Sequence, residues 1–146
     1  MEVEVALGGL LLAHAVYTDL RWRRISNRSV GAAGAAGLLL GALRGGGPGF
    51  AWHLAGAAAG LIWWVPVAAC GLGPGDAKLA MALGAVGGPG WALSGPAAGF
   101  VLCGLCIAPW AVWRAIRRQP WRGIALPMAP WLAAGTMLAV LRPVGR

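Results

Sequence analysis

Apolar residues in this chain gather into six runs, approximately Val3 to Thr18, Val30 to Leu43, Phe50 to Leu72, Ala77 to Val86, Trp91 to Trp113 and Ile124 to Leu141. The third, fifth and sixth are long enough for the ~17 to 25 residues that a membrane-spanning helix needs, whereas the first, second and fourth are short. Charge decides whether the short ones also cross, because Lys and Arg near helix ends are enriched on the cytoplasmic side. With six crossings and the N-terminus outside, Arg21, Arg23, Arg24, Arg28, Lys78, Arg114, Arg117, Arg118 and Arg122 fall inside, and only Arg44, Arg142 and Arg146 fall outside. Without the fourth crossing, the cluster at Arg114 to Arg122 would lie opposite the one at Arg21 to Arg28. The expected fold is therefore all-α: a polytopic membrane protein of about six transmembrane helices, its fourth helix short and sunk in a locally thinned bilayer.

Composition agrees. Hydrophobic residues make up 59% of the 146 and charged residues 11%, which places the chain among integral membrane proteins and predicts one membrane domain over residues 1–146. A net charge of +8 would point to nucleic acid in a soluble protein. Here the arginines sit in short clusters between apolar runs, so the charge is read as topology and no nucleic-acid partner is expected. Among the 25 glycines, Gly31, Gly34, Gly37 and Gly41 predict close helix packing. Trp22, Trp52, Trp91, Trp113 and Trp121 lie near predicted helix ends as interface anchors, while Trp63 and Trp64 are placed between helices. Pro66, Pro109 and Pro130 are candidate kinks.

Other chemistry is thin. Cys70, Cys103 and Cys106 form no disulfide framework, and Cys103-Gly104-Leu105-Cys106 lacks the further ligands of a zinc site, so no metal is expected. Ala13-His14-Ala15 is similar to a signal-cleavage site, but Glu2 and Glu4 without Lys or Arg make a poor n-region, and the first helix is expected to be retained. His14 and His53 fall in different parts of the membrane and are read as satisfied or exposed.

The informative residues are Asp19 and Asp76, because the only other acids are Glu2 and Glu4 at the N-terminus. Each ends or begins an apolar run, where a carboxylate is costly and marks a candidate functional site. The topology puts both on the cytoplasmic side: Asp19 at the end of the first helix, Asp76 at the start of the fourth. Two carboxylates a few ångströms apart do not readily both ionise, so one holds a proton while the other is charged. Such a pair can take a proton from an attacking water and give one to a peptide carbonyl and its leaving amine. Around Asp76, Gly73 and Gly75 are expected to supply unusual backbone conformations and close approach for a substrate strand, and the helix dipole to favour the acid. Lys78 is a candidate for orienting the scissile backbone or biasing Asp76, with an anchor on the basic side as the alternative. Asn27 is a candidate for positioning backbone near Asp19 or for capping the second helix.

At these residues the chain resembles the type IV prepilin peptidase family of membrane aspartic peptidases. The family's GxGDxK motif is matched by Gly73-Pro74-Gly75-Asp76-Ala77-Lys78, and Asp19 is followed by basic residues and Ile25-Ser26-Asn27, with Ser26 where the family commonly has Pro. Leu126 to Gly135 is similar to the family's proline-rich approach to its last helix. The resemblance implies Asp19 and Asp76 as the catalytic pair, with no cofactor. The implied substrate is a prepilin-like protein that brings its hydrophobic N-terminal helix into the bilayer and is cut at the cytoplasmic face of the inner membrane. Only Leu20 to Ser29 separates the first two helices, so the insertion with paired CxxC motifs found in larger members is missing. No methyltransferase activity is expected; the chain looks like the short peptidase-only branch that serves Tad/Flp-type pili or related secretion systems. Two other readings of the acids are a small ion- or proton-coupled transporter and a non-catalytic assembly subunit.

Overall fold

The computed structural model describes residues 2–65, 69, 73–118 and 127–141. It is all-α: α1 (Glu2–Trp22), α2 (Asn27–Ala59), α3 (Pro74–Gly87), α4 (Pro89–Ile116) and α5 (Ala129–Leu141), with a 3-10 turn at Gly60–Trp63 after α2. No strand occurs among the described residues. The expected end of the third run at Leu72 and start of the sixth at Ile124 lie outside the described residues, as do Pro66, Cys70, Trp121, Arg122, Arg142 and Arg146.

Among the described residues five helices stand where six were expected, because the second and third apolar runs join at a kink with no loop between them. The join is Gly46, the one residue inside α2 with non-helical angles (φ 57°, ψ −142°), followed by Pro48. Glycine adopts that left-handed φ without the steric cost other residues bear, so a single residue bends the helix and no loop is needed. The limbs 27–45 and 47–59 lie against each other, and a Cβ at Gly41 would strike the His53 ring and the Gly49 carbonyl. The first run, expected to be short, continues through Trp22 as a helix of 21 residues. Among the described residues, Glu2–Trp22 and Pro89–Ile116 are the two helices long and apolar enough to cross a membrane.

Packing centres on α3. Eight of its 14 residues are buried, so the shortest apolar run is surrounded by neighbouring helices. At 1.5 Å per residue the helix is about 21 Å long, and neighbouring helices cover most of it. Small residues let backbones meet there. A Cβ at Gly56 would run into the Gly84 carbonyl and one at Gly84 into that of Gly56. Between α4 and α5, a Cβ at Gly135 would run into the Gly95 carbonyl and the Gly99 backbone, and one at Gly99 into the Trp131 carbonyl. Of the four glycines expected at such contacts, Gly37 and Gly41 meet backbone or a side chain closely, Gly34 makes only an ordinary contact with Ala85, and Gly31 faces open space.

The distribution of sizes is inverted relative to a soluble domain. The buried set is rich in alanine, whereas Leu10, Leu43, Val65, Leu105 and Ile116 are each more than 60% exposed. Small residues inside and large apolar ones outside suit a bundle surrounded by hydrocarbon, where packing rather than hydrophobic burial holds helices together. Trp22, Trp52 and Trp113 are exposed. Trp63 packs inside, its Nε1 donating to the Ala92 carbonyl at 2.6 Å and its ring stacking on Phe100. Trp64, also placed between helices by the sequence, is 37% exposed.

Candidate active site

Contacts between helices define two ends of the bundle. One carries the end of α1 and the starts of α2, α3 and α5. Helix α1 stops just after Asp19: the Arg23 N–H donates to the Asp19 carbonyl at 2.9 Å, and Arg23 takes a left-handed φ of 54° that turns the chain into the short link to α2. The Asp19 side chain reaches across to α5, where the Ala129 N–H donates to Asp19 Oδ2 at 3.0 Å. That bond completes the helix start. Trp131 and Leu132 donate to the Met128 carbonyl at 3.1 and 3.0 Å, Pro130 has no N–H, and Ala129 supplies the remaining donor. Pro130 therefore begins α5 instead of kinking it.

Asp76 sits in the first turn of α3, as expected, and its N–H donates to the Gly73 carbonyl at 3.1 Å. The flanking glycines do not supply the unusual backbone conformations that the sequence led one to expect. Gly73 has ordinary extended angles (φ −66°, ψ 134°), and neither it nor Gly75 is among the positive-φ residues. Gly75 is small because Ile25 lies on it: a Cβ there would be 3.2 Å from the Ile25 Cβ. Gly73 is open, and a Cβ on it would meet only Asp76 Oδ2, at 3.8 Å.

Lys78 and Asn27 find each other. The Lys78 ammonium donates to Asn27 Oδ1 at 3.1 Å, tying the start of α2 to α3; among the described residues it makes no ion pair with Asp76. The cap of α2 is Ser26, whose Oγ accepts from the Ser29 N–H at 3.5 Å. Asn27 is the first helical residue, so its capping assignment is corrected by one position. Both residues are good caps, and only the backbone angles separate them.

Asp76 precedes the apolar stretch 77–86, and burial pushes its carboxyl up to about 6, with the charge of Asp19 adding to the shift. The floor is visible in the core: Leu11, Leu12, Ala15, Leu79, Leu83 and Leu132 form one buried cluster, about one turn or more deeper than the two acids on their helices. Among the described residues no hydrogen bond reaches the Asp76 carboxyl. Between the end of α1 and the start of α2 opens a pocket of about 380 Å³ lined by His14, Thr18, Trp22, Arg24 and Ser26. His14 is exposed there, and His53 is satisfied at the other end by the Ala85 carbonyl at 2.8 Å. Cys103 is buried 3.8 Å from Met128 Sδ, while Cys106 is exposed. The Ala129 N–H is the site group that sequence reasoning missed. Its signal, the Pro127-Met128-Ala129-Pro130 stretch, was legible, but a backbone donor leaves no mark in side-chain chemistry.

The sequence profile of the type IV leader peptidase family matches residues 6–112, more than half of the chain. The chain belongs to the type IV leader peptidase family. Membership carries leader peptidase activity on prepilin-like proteins by a membrane-embedded chain, in keeping with the two apolar helices. The matched part of this leader peptidase includes both aspartates and stops short of α5, which holds Asp19. No curated protein and no solved structure matches the chain.

Proposed function

We propose that Asp19 and Asp76 are the catalytic pair of an aspartic endopeptidase that removes the short leader of prepilin-like proteins at the cytoplasmic face of the inner membrane. One observation carries this reading: three stretches far apart in sequence meet at one end of the bundle. Asp19 bonds Ala129, Asn27 bonds Lys78, and Ile25 lies on Gly75. The link after α1, the Gly-Pro-Gly-Asp turn and the proline-rich start of α5 thus surround the two acids, and the charge of Asp19 adds to the upward shift of Asp76.

In this mechanism a water attacks the scissile carbonyl carbon as the charged carboxylate takes its proton. The protonated carboxyl gives its proton to the carbonyl oxygen, leaving a tetrahedral diol. Breakdown returns that oxygen's proton to the pair, breaks the C–N bond and protonates the leaving amine, so no covalent enzyme intermediate forms. The apolar cluster below keeps bulk water from the membrane side. The Lys78–Asn27 bond holds the start of α2 against α3 and so steadies the turn bearing Asp76. Gly73 is the open approach for an extended substrate, and the pocket between α1 and α2 accepts a side chain beside the cut. Each limb of α2 makes its own crossing, for six in all with the N-terminus outside. The proposed activity is that of a peptidase alone, which the short link of four residues between α1 and α2 supports.

The test is cleavage of a prepilin-like substrate in membranes by Asp19→Asn and Asp76→Asn. Each is expected to lower processing by at least about a thousandfold while inserting and folding normally. Full processing by either variant would end the proposal.

A further inference from the structure

We infer that the pair is asymmetric before substrate arrives: the charge resides on Asp19, held by the first N–H of α5, and the shared proton resides on Asp76. This rests on the reading of the two as the catalytic pair and assigns their roles within it. Asp19 becomes the base that takes the proton of water, and Asp76 the acid that protonates the carbonyl oxygen.

The geometry that separates them is the donor count. A carboxylate gains most from a hydrogen bond when it is charged, and Asp19 Oδ2 has one from Ala129 at 3.0 Å. That N–H begins α5, so the positive end of the helix dipole reinforces it. Asp76 also stands in the first turn of a helix, so a dipole acts on both acids and does not distinguish them. The hydrogen bond does, because among the described residues none reaches the Asp76 carboxyl.

Nearby charges do not reverse the order. Helix α1 ends with Arg21 and carries His14 further up, the link to α2 holds Arg23 and Arg24, and α2 brings Arg28. The one cation on α3, Lys78, is turned to Asn27. Helix α4 has Arg114 in its last turn and is followed by Arg117 and Arg118; the guanidinium groups of Arg114 and Arg117 lie over the Trp110 and Trp113 rings, and α5 has no titratable side chain between Ala129 and Leu141. The groups that act on Asp76 are burial and Asp19 itself, both of which favour its protonated form.

The assignment also orients the substrate. A Cβ at Gly73 would lie 3.8 Å from Asp76 Oδ2, so a strand passing over this open glycine brings its carbonyl oxygen to the acid. The attacking water is then on the Asp19 side, between α1 and α5.

Because the chain has only two aspartates, labelling aspartate carboxyl groups with carbon-13 yields two resonances, assigned with Asp19→Asn and Asp76→Asn. In the full-length protein in bilayers at about pH 5, between the ordinary carboxylate range and the value for Asp76, Asp19 is expected at the carboxylate position and Asp76 at the carboxylic-acid position. The expected preference is about tenfold or more, the scale of one hydrogen bond to a charged group. Reversed positions, or two equal intermediate ones, overturn the inference. Ala129→Pro deletes the donor at a helix position where proline is tolerated, and is expected to move the Asp19 resonance toward the acid position; Ala129→Ser keeps the N–H and is expected to leave it in place. An Ala129→Pro protein that is folded and spectrally unchanged also overturns it. If that variant does not fold, the wild-type resonances decide alone. Cleavage by Asp19→Asn or Asp76→Asn would instead remove the catalytic pair itself, so the two failures are distinct.

Discussion

The two ends of the bundle use polar residues in opposite ways. At the end bearing the start of α1 and the bend of α2, every polar group named here is spoken for: Arg44 pairs with Glu4 at 3.1 Å and His53 binds the Ala85 carbonyl. Gly88, with a left-handed φ of 82°, turns α3 into α4 beneath Trp52. That end is closure. At the other end Asp19 and Lys78 are also bonded, but the half-buried Asp76 carboxyl receives no donor among the described residues. Stability alone would not favour such a group, since burial disfavours its charged form. The contrast separates residues that hold the bundle shut from the residue to which the proposed mechanism gives the acid's role.

The most damaging way to break the closing end is to spoil its backbone contact. Gly84→Leu would drive a side chain into Gly56, where the carbonyl already meets the space of a single Cβ, and is expected to cost about 3 kcal/mol or more. Gly31→Leu, with nothing near, is expected to stay within about 0.5 kcal/mol of wild type. Equal thermal unfolding of the two variants would contradict the packing described here.

A smaller effect sharpens the other end. Asp76 binds its proton more readily folded, at about 6 against 3.8, so ionising it costs the folded state stability as pH rises through that window, fully so above about 6. Asp76→Asn removes this cost and is expected to raise the melting temperature by about 2 to 4 °C at pH 8. The gain should vanish below about pH 4. A gain that is the same at both pH values would mean that the carboxyl is not under this strain. The smallest effect belongs to the exposed pair at the closing end: Arg44→Gln is expected to cost under about 1 kcal/mol and to leave cleavage within about twofold. A loss of cleavage comparable to that of the aspartate variants would erase the distinction between the ends.

Much of this was legible in sequence. Apolar runs of that length without strand-like interruptions fixed an all-α membrane fold, and two isolated acids beside apolar runs located the candidate site, because hydrocarbon length and the cost of buried charge act through composition and spacing. Less legible were the elements bounded by a single residue. Gly46 bends α2 without a polar loop to announce it, and Ser26 rather than Asn27 caps that helix, a choice between two neighbours of nearly equal capping strength. The glycines beside Asp76 stood out for conformation and for close approach by a strand; no unusual conformation occurs there, and Gly75 makes room for Ile25, 50 positions earlier.

The sequence by itself determined which acids stand out and that they begin or end apolar helices, since those are properties of local composition. Only the tertiary structure decided what each acid meets. The Ala129 N–H on Asp19, and the absence of any such donor on Asp76 among the described residues, arise from backbone groups 110 positions away brought together by helix packing. A backbone N–H is identical at nearly every residue, so its consequence for one carboxylate exists only once the fold has placed it.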